Sequence, residues 1–370
     1  MALVLDRVHM HHRGEVWLHD VSLDLAAGMT VLIGPADAGK TTLMRVVAGL
    51  LPPASGRVIV NGRDVTATSV RKRSVAFVYQ QFINYPSLSV YENIASPLRL
   101  APGLDRARID ARVREIADVM GIGALLARKP AELSGGQQQR TAIARALARP
   151  ADVLLLDEPL ANLDYKLREQ LRADLKDMFR DAPGVVLYAT SDPAEALVFA
   201  APTVVLGEGR VQQTGDVADL YADPPTLAVA ATLSDPPLNR LPGIVRDGRV
   251  ECLGASFPVP RSHPTGRTVT LGVRPHHVAV DRFRAADLPF SAEVRLAEMT
   301  GSDTFLHLLL ADRRHLVAQL PGTHRFTPGD AAVAYVDPAH VLVFDDTGAR
   351  LGAPEHDVPE RPAAEADRRG

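Results

Sequence analysis

Residues Gly34 to Thr41 read GPADAGKT, two glycines with four residues between them, then a lysine and a hydroxyl. Such a loop lets backbone N–H groups wrap phosphate oxygens, and the helix after it adds the positive end of its dipole. The flanking sequence, MTVLIGPADAGKTTLMRVVAGL, runs strand, loop, helix, which is the context this motif requires. Lys40 is placed to neutralise β- and γ-phosphates, Thr41 to offer its hydroxyl to Mg²⁺, and Thr42 to bond a further phosphate oxygen. The candidate nucleotide contacts are therefore Gly34, Pro35, Ala36, Asp37, Ala38, Gly39, Lys40, Thr41 and Thr42.

Two more stretches carry chemistry. In ADVLLLDEP a buried apolar run delivers Asp157 and Glu158 at its C-terminal end. Asp157 would hold Mg²⁺ through its water shell and Glu158 would polarise an attacking water. An acidic pair that merely caps a helix is the plainer alternative, and the phosphate loop upstream weighs against it. In ELSGGQQQRTAIARAL, Ser134, Gly135, Gly136 and Gln137 open a helix and form a second anion site. A plain helix cap explains neither glycine. The site makes sense if it closes over a nucleotide held by another copy.

The elements that position these residues alternate in the first half. Strands are predicted at 58–60, 76–79, 153–156, 185–188 and 203–206. Ile109, Val113, Ile116 and Met120 recur at helical spacing, as do Leu163, Leu167, Leu171, Leu175 and Met178. This is an α/β pattern. Near Asp235 the texture changes to short strands broken by Gly, Pro and Asp, an all-β barrel or sandwich running to about Phe344. The expected domains are residues 1–235, with a helical subdomain at about 85–150, then 236–352. Residues 353–370 lack periodicity and read as a disordered tail.

Bulk properties narrow the function. The chain has 370 residues, 46% of them apolar, and a net charge of -3. That charge gives no global electrostatic case for binding nucleic acid. A single cysteine, Cys252, precludes an internal disulfide and fits a reducing compartment. No signal-like N-terminus is present, and no apolar run approaches the roughly 20 residues of a membrane helix. A membrane role would come through a partner.

Taken together, residues 1 to about 235 resemble the ATP-binding subunits of ABC transporters. GPADAGKTT resembles the Walker A loop, LLLDEP the Walker B strand, LSGGQQQR the family signature, and ANLD (Ala161–Asp164) the loop that crosses the dimer interface. Gln80 in VYQQF resembles the Q-loop glutamine, which in the family senses Mg²⁺ and the transmembrane partner; Gln81 is the alternative. The following INYPSLSVYENIASPLRL would form the surface that docks a permease helix. LGVRPHHVAV, AEMTGSDTFLHLLL and GDAAVAYVDPAHVLVFDD resemble the OB-like C-terminal regulatory domain of carbohydrate-importer ATPases, a group importing sugars, polyols and glycerol phosphate. VYQQFINYPSLSVYENIASPLR and LDEPLANLDYKLREQLR look closest to bacterial glycerol-importer ATPases. The resemblance implies a P-loop NTPase domain with a helical subdomain followed by an OB-like domain, with ATP and Mg²⁺ bound. It also implies two permease subunits, a second ATPase subunit, an extracytoplasmic solute-binding protein acting indirectly, no nucleic acid, and a peripheral place on the cytoplasmic face of the bacterial inner membrane. Soluble ABC proteins acting on ribosomes or DNA are the alternative from another class. They commonly carry two ATPase units or a coiled-coil insertion, and this chain shows neither.

Two positions depart from the family pattern. Where the family carries an adenine-stacking Tyr or Trp before a glycine, Arg13 or His12 stands here, and Trp17 reads as too far along. The histidines His9, His11, His12 and His19 read as solvated imidazoles rather than a metal site, because no Cys or carboxylate cluster completes one. At the end of the last strand of the site the family reads Thr-His-Asp, and this chain reads Thr190-Ser191-Asp192. The family's switch histidine reaches the γ-phosphate and holds the water and catalytic glutamate. Serine is shorter and carries no charge near neutral pH. Ser191 therefore joins Glu158 and Gln80 as a candidate catalytic position, with Thr41, Gln80 and Asp157 as candidate metal contacts. A serine in both sites of a homodimer would impair both, so the sequence favours pairing with a different ATPase subunit and leaves the homodimer open. A non-hydrolysing regulatory subunit is the third reading.

Overall fold

The computed structural model describes residues 1–12, 15–81, 83–100, 103–161, 163–180, 182–258 and 265–352, with the side chain of His12 excepted. The two residues expected at the base position, Arg13 and His12, lie outside the described side chains. So do Asn162 of the ANLD loop and the whole tail 353–370. The chain divides into two compact units, the first Met1–Ala222 and the second beginning at Asp223.

The first unit opens with a long hairpin, β1 (Ala2–His12) and β2 (Glu15–Ala26), then β3 (Gly28–Ile33) and α1 (Lys40–Ala48). Next come β4 (Ser55–Val60), β5 (Arg63–Asp64), β6 (Val75–Val78), α2 (Val90–Arg99), α3 (Arg106–Val119) and α4 (Gly135–Ala148). It finishes with β7 (Val153–Asp157), α5 (Tyr165–Phe179), β8 (Val185–Thr190), α6 (Pro193–Phe199), β9 (Pro202–Gly207), β10 (Arg210–Asp216) and α7 (Val217–Ala222). Every strand predicted from sequence is present, extended by a residue or more at one or both ends except where β6 stops at Val78. Leu163 falls just before α5 and Met120 caps α3, and both are buried.

Described strands form two sheets in this unit. One is antiparallel, in the order β2-β1-β4-β5. The other runs β10-β9-β3-β8-β7-β6, and its β9, β3, β8, β7 and β6 are parallel. β7 and β8 are buried at every residue. That is why they read as continuous Val/Leu runs rather than as alternating patterns. Leu43, Met44 and Val47 of α1 share one core with Leu5, Leu18 and Val21 of the hairpin and Leu155 and Leu187 of the parallel sheet. Helices α2, α3 and α4 pack on one another.

The second unit contains α8 (Leu227–Thr232), β11 (Asn239–Arg246), β12 (Arg249–Cys252), β13 (Ala255–Pro258), β14 (Thr268–Val273) and β15 (Val278–Ala279). β16 (Leu288–Met299), β17 (Asp303–Leu310), β18 (His315–Pro321), β19 (Ala331–Val336) and β20 (Leu342–Phe344) complete it. Its described strands form two antiparallel sheets, β13-β12-β11-β14-β20 and β15-β19-β16-β17-β18. Thr304, Leu306, Leu308 and Leu310 alternate inward along β17, the period-two pattern of a sheet with one buried face. The unit starts before the texture change at Asp235. Ala230 of α8 is fully buried with Leu238, Leu342 and Phe344, which ties this helix to the β-rich unit.

One contact that local patterning does not announce ties the end of α1 to residues 66–73. Arg73 donates from Nε to Thr68 O (3.0 Å), from Nη2 to Thr66 O (2.9 Å), and from Nη1 to Val46 O (3.1 Å) and Val47 O (2.6 Å). The last two are carbonyls at the C-terminal end of α1, where a cation also meets the negative end of the dipole. Arg73→Ala is expected to lower unfolding free energy by about 2 kcal/mol in denaturant titration. Arg73→Lys should recover little, because an ammonium cannot address four carbonyls in the plane of a fork.

Candidate functional site

The site is built at the C-terminal ends of four adjacent parallel strands. Gly34 follows β3, Ser191 follows β8, Glu158 follows β7, and Gln80 lies two residues after β6. Ligands of open α/β sheets collect at this edge, because strand ends there release loops toward one crevice. The crevice has a volume of about 820 Å³, and its walls include Ala36 to Thr42, Arg45, Gln80, Glu158 and Ser191. It also includes Glu15, Val16, Trp17, His19, Glu208 and Gly209.

The phosphate loop is held from beneath. A β-carbon at Gly34 would lie 2.2 Å from the carbonyl oxygen of Leu206, so only glycine lets the loop pass over β9. Gly34 and Pro35 are not in the crevice wall. Their carbonyls instead accept from Lys40 Nζ at 2.7 and 2.9 Å. Lys40 is 5% exposed and also faces Glu158 Oε1 at 3.4 Å. A charge this buried needs such partners.

The acidic pair splits by role. Asp157 is 2% exposed and accepts from the Thr41 hydroxyl at 2.8 Å. Burial pushes its pKa up, while the Thr41 bond and Lys40 act in the opposite direction. Glu158 stands in the left-handed backbone region at φ 46. A non-glycine residue held there is strained, and here its N–H is fixed to Ala189 O at 3.0 Å. Its carboxylate accepts from Gln80 Nε2 at 3.1 Å. Gln80, rather than Gln81, makes this contact.

Ser134 is the N-cap of α4. Its hydroxyl accepts from Gln137 N at 3.4 Å and the Gln137 side chain accepts from Ser134 N at 3.0 Å, a capping box. The spacing predicts an anion site at this end, and the structure adds a capping box within the chain. None of Ser134, Gly135, Gly136 and Gln137 lines the crevice that holds Lys40 and Glu158. A β-carbon at Gly135 would meet no described atom within 4 Å. The packing of this chain around Gly135 therefore leaves room for a side chain.

Trp17 is the residue that spacing misplaced. It lies beyond the position where the family pattern places a base-stacking aromatic, yet it lines the crevice beside Val16 and the loop. The β1–β2 pairing slips register between Leu5 and Val8, between Val8 and Met10, and again between Met10 and His11. Each slip re-aims the side chains that follow. His9 lies 6.2 Å from His11 and 5.9 Å from His19 between ring centroids, and Arg210 approaches His19 Nδ1 at 3.2 Å. Among the described residues no group of three or more His, Cys, Asp or Glu side chains is disposed to hold a metal ion.

Comparison with known proteins agrees with this architecture. Residues 18–161 match the ABC transporter family, 271–344 the TOBE domain, and 239–280 the CysA C-terminal regulatory domain. The chain is 38% identical to the sn-glycerol-3-phosphate import ATP-binding protein UgpC of Cereibacter sphaeroides, over 93% of this chain and 98% of that protein. It is 36% identical to the protein of that name from Paracoccus denitrificans, over 94% and 98%. Among solved structures, the dimeric post-hydrolysis state of the ATP-binding cassette MJ0796 bound to ADP and Pi matches with a TM-score of 0.53 and 28% identity, over 58% of this chain and 98% of that one. A loop that surrounds a buried lysine, an acidic pair at the neighbouring strand end and near full-length relatives lead to one assignment. The chain belongs to the ABC transporter family and is an ATP-binding, ATP-hydrolysing transporter subunit with a C-terminal TOBE domain.

Proposed function

We propose that this subunit drives import of a phosphorylated polyol, sn-glycerol 3-phosphate or a close relative, from the cytoplasmic face of a bacterial inner membrane. The relatives' names motivate the solute. The observation that carries the mechanism is the separation of the two anion sites, with Gly135 facing open space. A second ATPase subunit supplies what each crevice lacks: the Ser134–Gln137 helix end of one chain caps the nucleotide held by Lys40 and Thr41 of the other.

Within one crevice the roles follow from position. Loop N–H groups and Lys40 bind the β- and γ-phosphates, and Glu158 orients the attacking water. Thr41 and Gln80 line the crevice, and Asp157 lies behind Thr41, accepting from its hydroxyl; together they form an oxygen-donor set that fits a hard divalent cation. Thr41, Asp157 and Gln80 would hold Mg²⁺, and the ion would supply positive charge that offsets the charge of the phosphates. Because Gln80 bonds Glu158 directly, a displacement of the loop after β6 reaches the water-orienting carboxylate through one hydrogen bond.

That loop opens onto a second cleft, of about 520 Å³, walled by Phe77, Tyr85, Leu88, Pro97, Leu100 and Arg145 among others. Leu100 is 80% exposed, and Ile83 and Tyr85 are also exposed. Two permease subunits, one per ATPase, would dock a helix there, and an extracytoplasmic binding protein would present the solute to them. No helix among the described residues is long and apolar enough to cross a membrane, which agrees with a peripheral subunit. The TOBE unit would serve regulation or pairing.

Ser191 lines the crevice beside Glu158 but offers only a short hydroxyl. We read it as favouring a different ATPase subunit as partner, one that brings its own imidazole.

Four outcomes follow. ATP hydrolysis by the chain reconstituted with its permease and binding protein should rise with sn-glycerol 3-phosphate and not with glycerol; equal response to both would remove the proposed solute. Gly135→Glu should keep ATP binding and thermal stability while turnover falls about a hundredfold, since only the facing subunit's nucleotide is disturbed. The isolated homodimer should turn over slowly, and Ser191→His should speed that homodimer about tenfold; rapid turnover by the unmodified homodimer would overturn the reading of Ser191. Trp17 is the only tryptophan, so its fluorescence should report ATP binding saturably. Trp17→Ala should then weaken ATP about tenfold by radiolabel filter binding, the scale of one lost base stack, and Trp17→Phe much less.

A further inference from the structure

Behind the Ser191 turn lies a buried polar cluster that the reaction as described does not use. Glu195, in the first turn of α6, is 4% exposed. Its carboxylate accepts from the hydroxyl of Tyr188 at 2.9 Å, and Tyr188 is fully buried in β8. Burial raises the Glu195 pKa, and hydrogen bonds from the Thr190 and Tyr188 hydroxyls oppose that rise. Thr190 in turn accepts from Asp192 N at 3.0 Å, and Asp192 caps α6 by accepting from Ala194 N at 2.8 Å. Residue 191 is thus bracketed: the residue before it and the residue after it are tied into one network that ends on Glu195.

The cluster also reaches α5. Arg172 is buried there, pairs with Glu169, and stands close enough for its charge to act on Tyr188. Arg168 acts likewise on Glu195. Both arginines belong to the helix capped by Asp164, the last residue of the loop expected at the dimer interface. Burying a carboxylate is costly unless it is hydrogen-bonded and balanced. A short apolar side chain at 195 would fill a helix-on-strand contact without that cost.

We propose that Glu195 is a positioning residue for ATP hydrolysis. Through Tyr188 and Thr190 it fixes where the side chain of residue 191 stands against the phosphate end of the crevice, and through α5 it links that placement to the subunit interface. The idea rests on reading residue 191 as the phosphate-facing position. It assigns Glu195 no contact with nucleotide. Loss of the clamp should lower kcat without weakening ATP binding, and the loss should be largest when residue 191 can do most.

The test uses the assembled transporter complex, with Glu195→Ala, Glu195→Gln and Tyr188→Phe made in both the unmodified and the Ser191→His chains. Turnover, KM for ATP, the Trp17 fluorescence titration and the thermal midpoint are measured for each. In the Ser191→His chain, Glu195→Ala is expected to lower kcat about tenfold or more with KM within about twofold. Glu195→Gln keeps an oxygen that can accept from Tyr188, so it should restore most of that rate. Tyr188→Phe should fall between them, and the same substitutions should cost less in the unmodified chain. Unchanged kcat in Glu195→Ala with ATP still bound would overturn the proposal and leave the ATPase assignment standing. A rate loss that tracks the thermal midpoint and is not rescued by Glu195→Gln would reduce Glu195 to a structural residue. Failure of the unmodified complex to bind ATP would instead remove the reading of the crevice itself.

Discussion

The first unit depends on keeping one ammonium group buried. Lys40 is nearly closed off from water, and two carbonyls of its own loop together with Glu158 surround it. An isolated cation in that environment would be strongly unfavourable. The loop must therefore curl until Gly34 and Pro35 turn their carbonyls inward, which leaves the later loop residues lining the crevice. The curl brings Gly34 against the Leu206 carbonyl, where no side chain fits. It also requires β7 to end where Glu158 can meet the lysine, and Glu158 accepts a left-handed backbone to do so. The parallel order of β3, β8, β7 and β6 is the arrangement that brings loop, acidic pair, turn and glutamine to one edge.

The parts of this site that are legible in sequence are those whose geometry is local. A glycine loop between a strand and a helix, or an acidic pair closing a Val/Leu run, carries its structure within a few residues. Buried parallel strands are equally plain, because nothing polar interrupts them. Trp17 was not legible. Counting along the chain assumes a regular strand, and the β1–β2 hairpin slips register three times, the last slip falling between the Met10–Leu18 and His11–Val16 pairs, where Trp17 stands. A single bulge reverses the faces of all residues after it. Arg73 was missed for a related reason. Its four acceptors come from the end of α1 and from residues 66 and 68, and no periodicity in one segment announces a cap supplied by another. The second compact unit begins at Asp223, ahead of the change in sequence texture near Asp235, because α8 has helical texture. What assigns it is Ala230 packing on Phe344, more than a hundred residues away.

The signature helix illustrates a different limit. Its capping box is complete within the chain, so local energetics account for Ser134 and Gln137. They do not account for Gly135, which costs backbone entropy in a helix and relieves no contact. A residue that is unfavourable for its own fold and unexplained by its own neighbours points to a constraint from outside the chain. The crevice wall holds Lys40, the hydroxyls of Thr41 and Thr42, and Glu158, and none of its residues comes from the start of α4. The crevice around Lys40 and the helix end at Ser134–Gln137 share no wall residue.

Ser191 gains meaning from the same kind of accounting. Had the serine been one sign of a decayed site, the framework around it would be free to drift, because an exposed turn costs little to loosen. Instead the turn keeps a buried carboxylate, a buried phenol and two buried or half-buried arginines behind it. Replacing that cluster with aliphatic side chains of similar volume would probe no catalytic atom, and such exchanges are often neutral or stabilising elsewhere. The chain retains the costly arrangement while presenting the short side chain. A turn held this firmly still defines where residue 191 stands, so the serine is presented with the same care an imidazole would need. The departure at 191 is then a change in the reach and charge of one side chain, set on a support that still determines its direction.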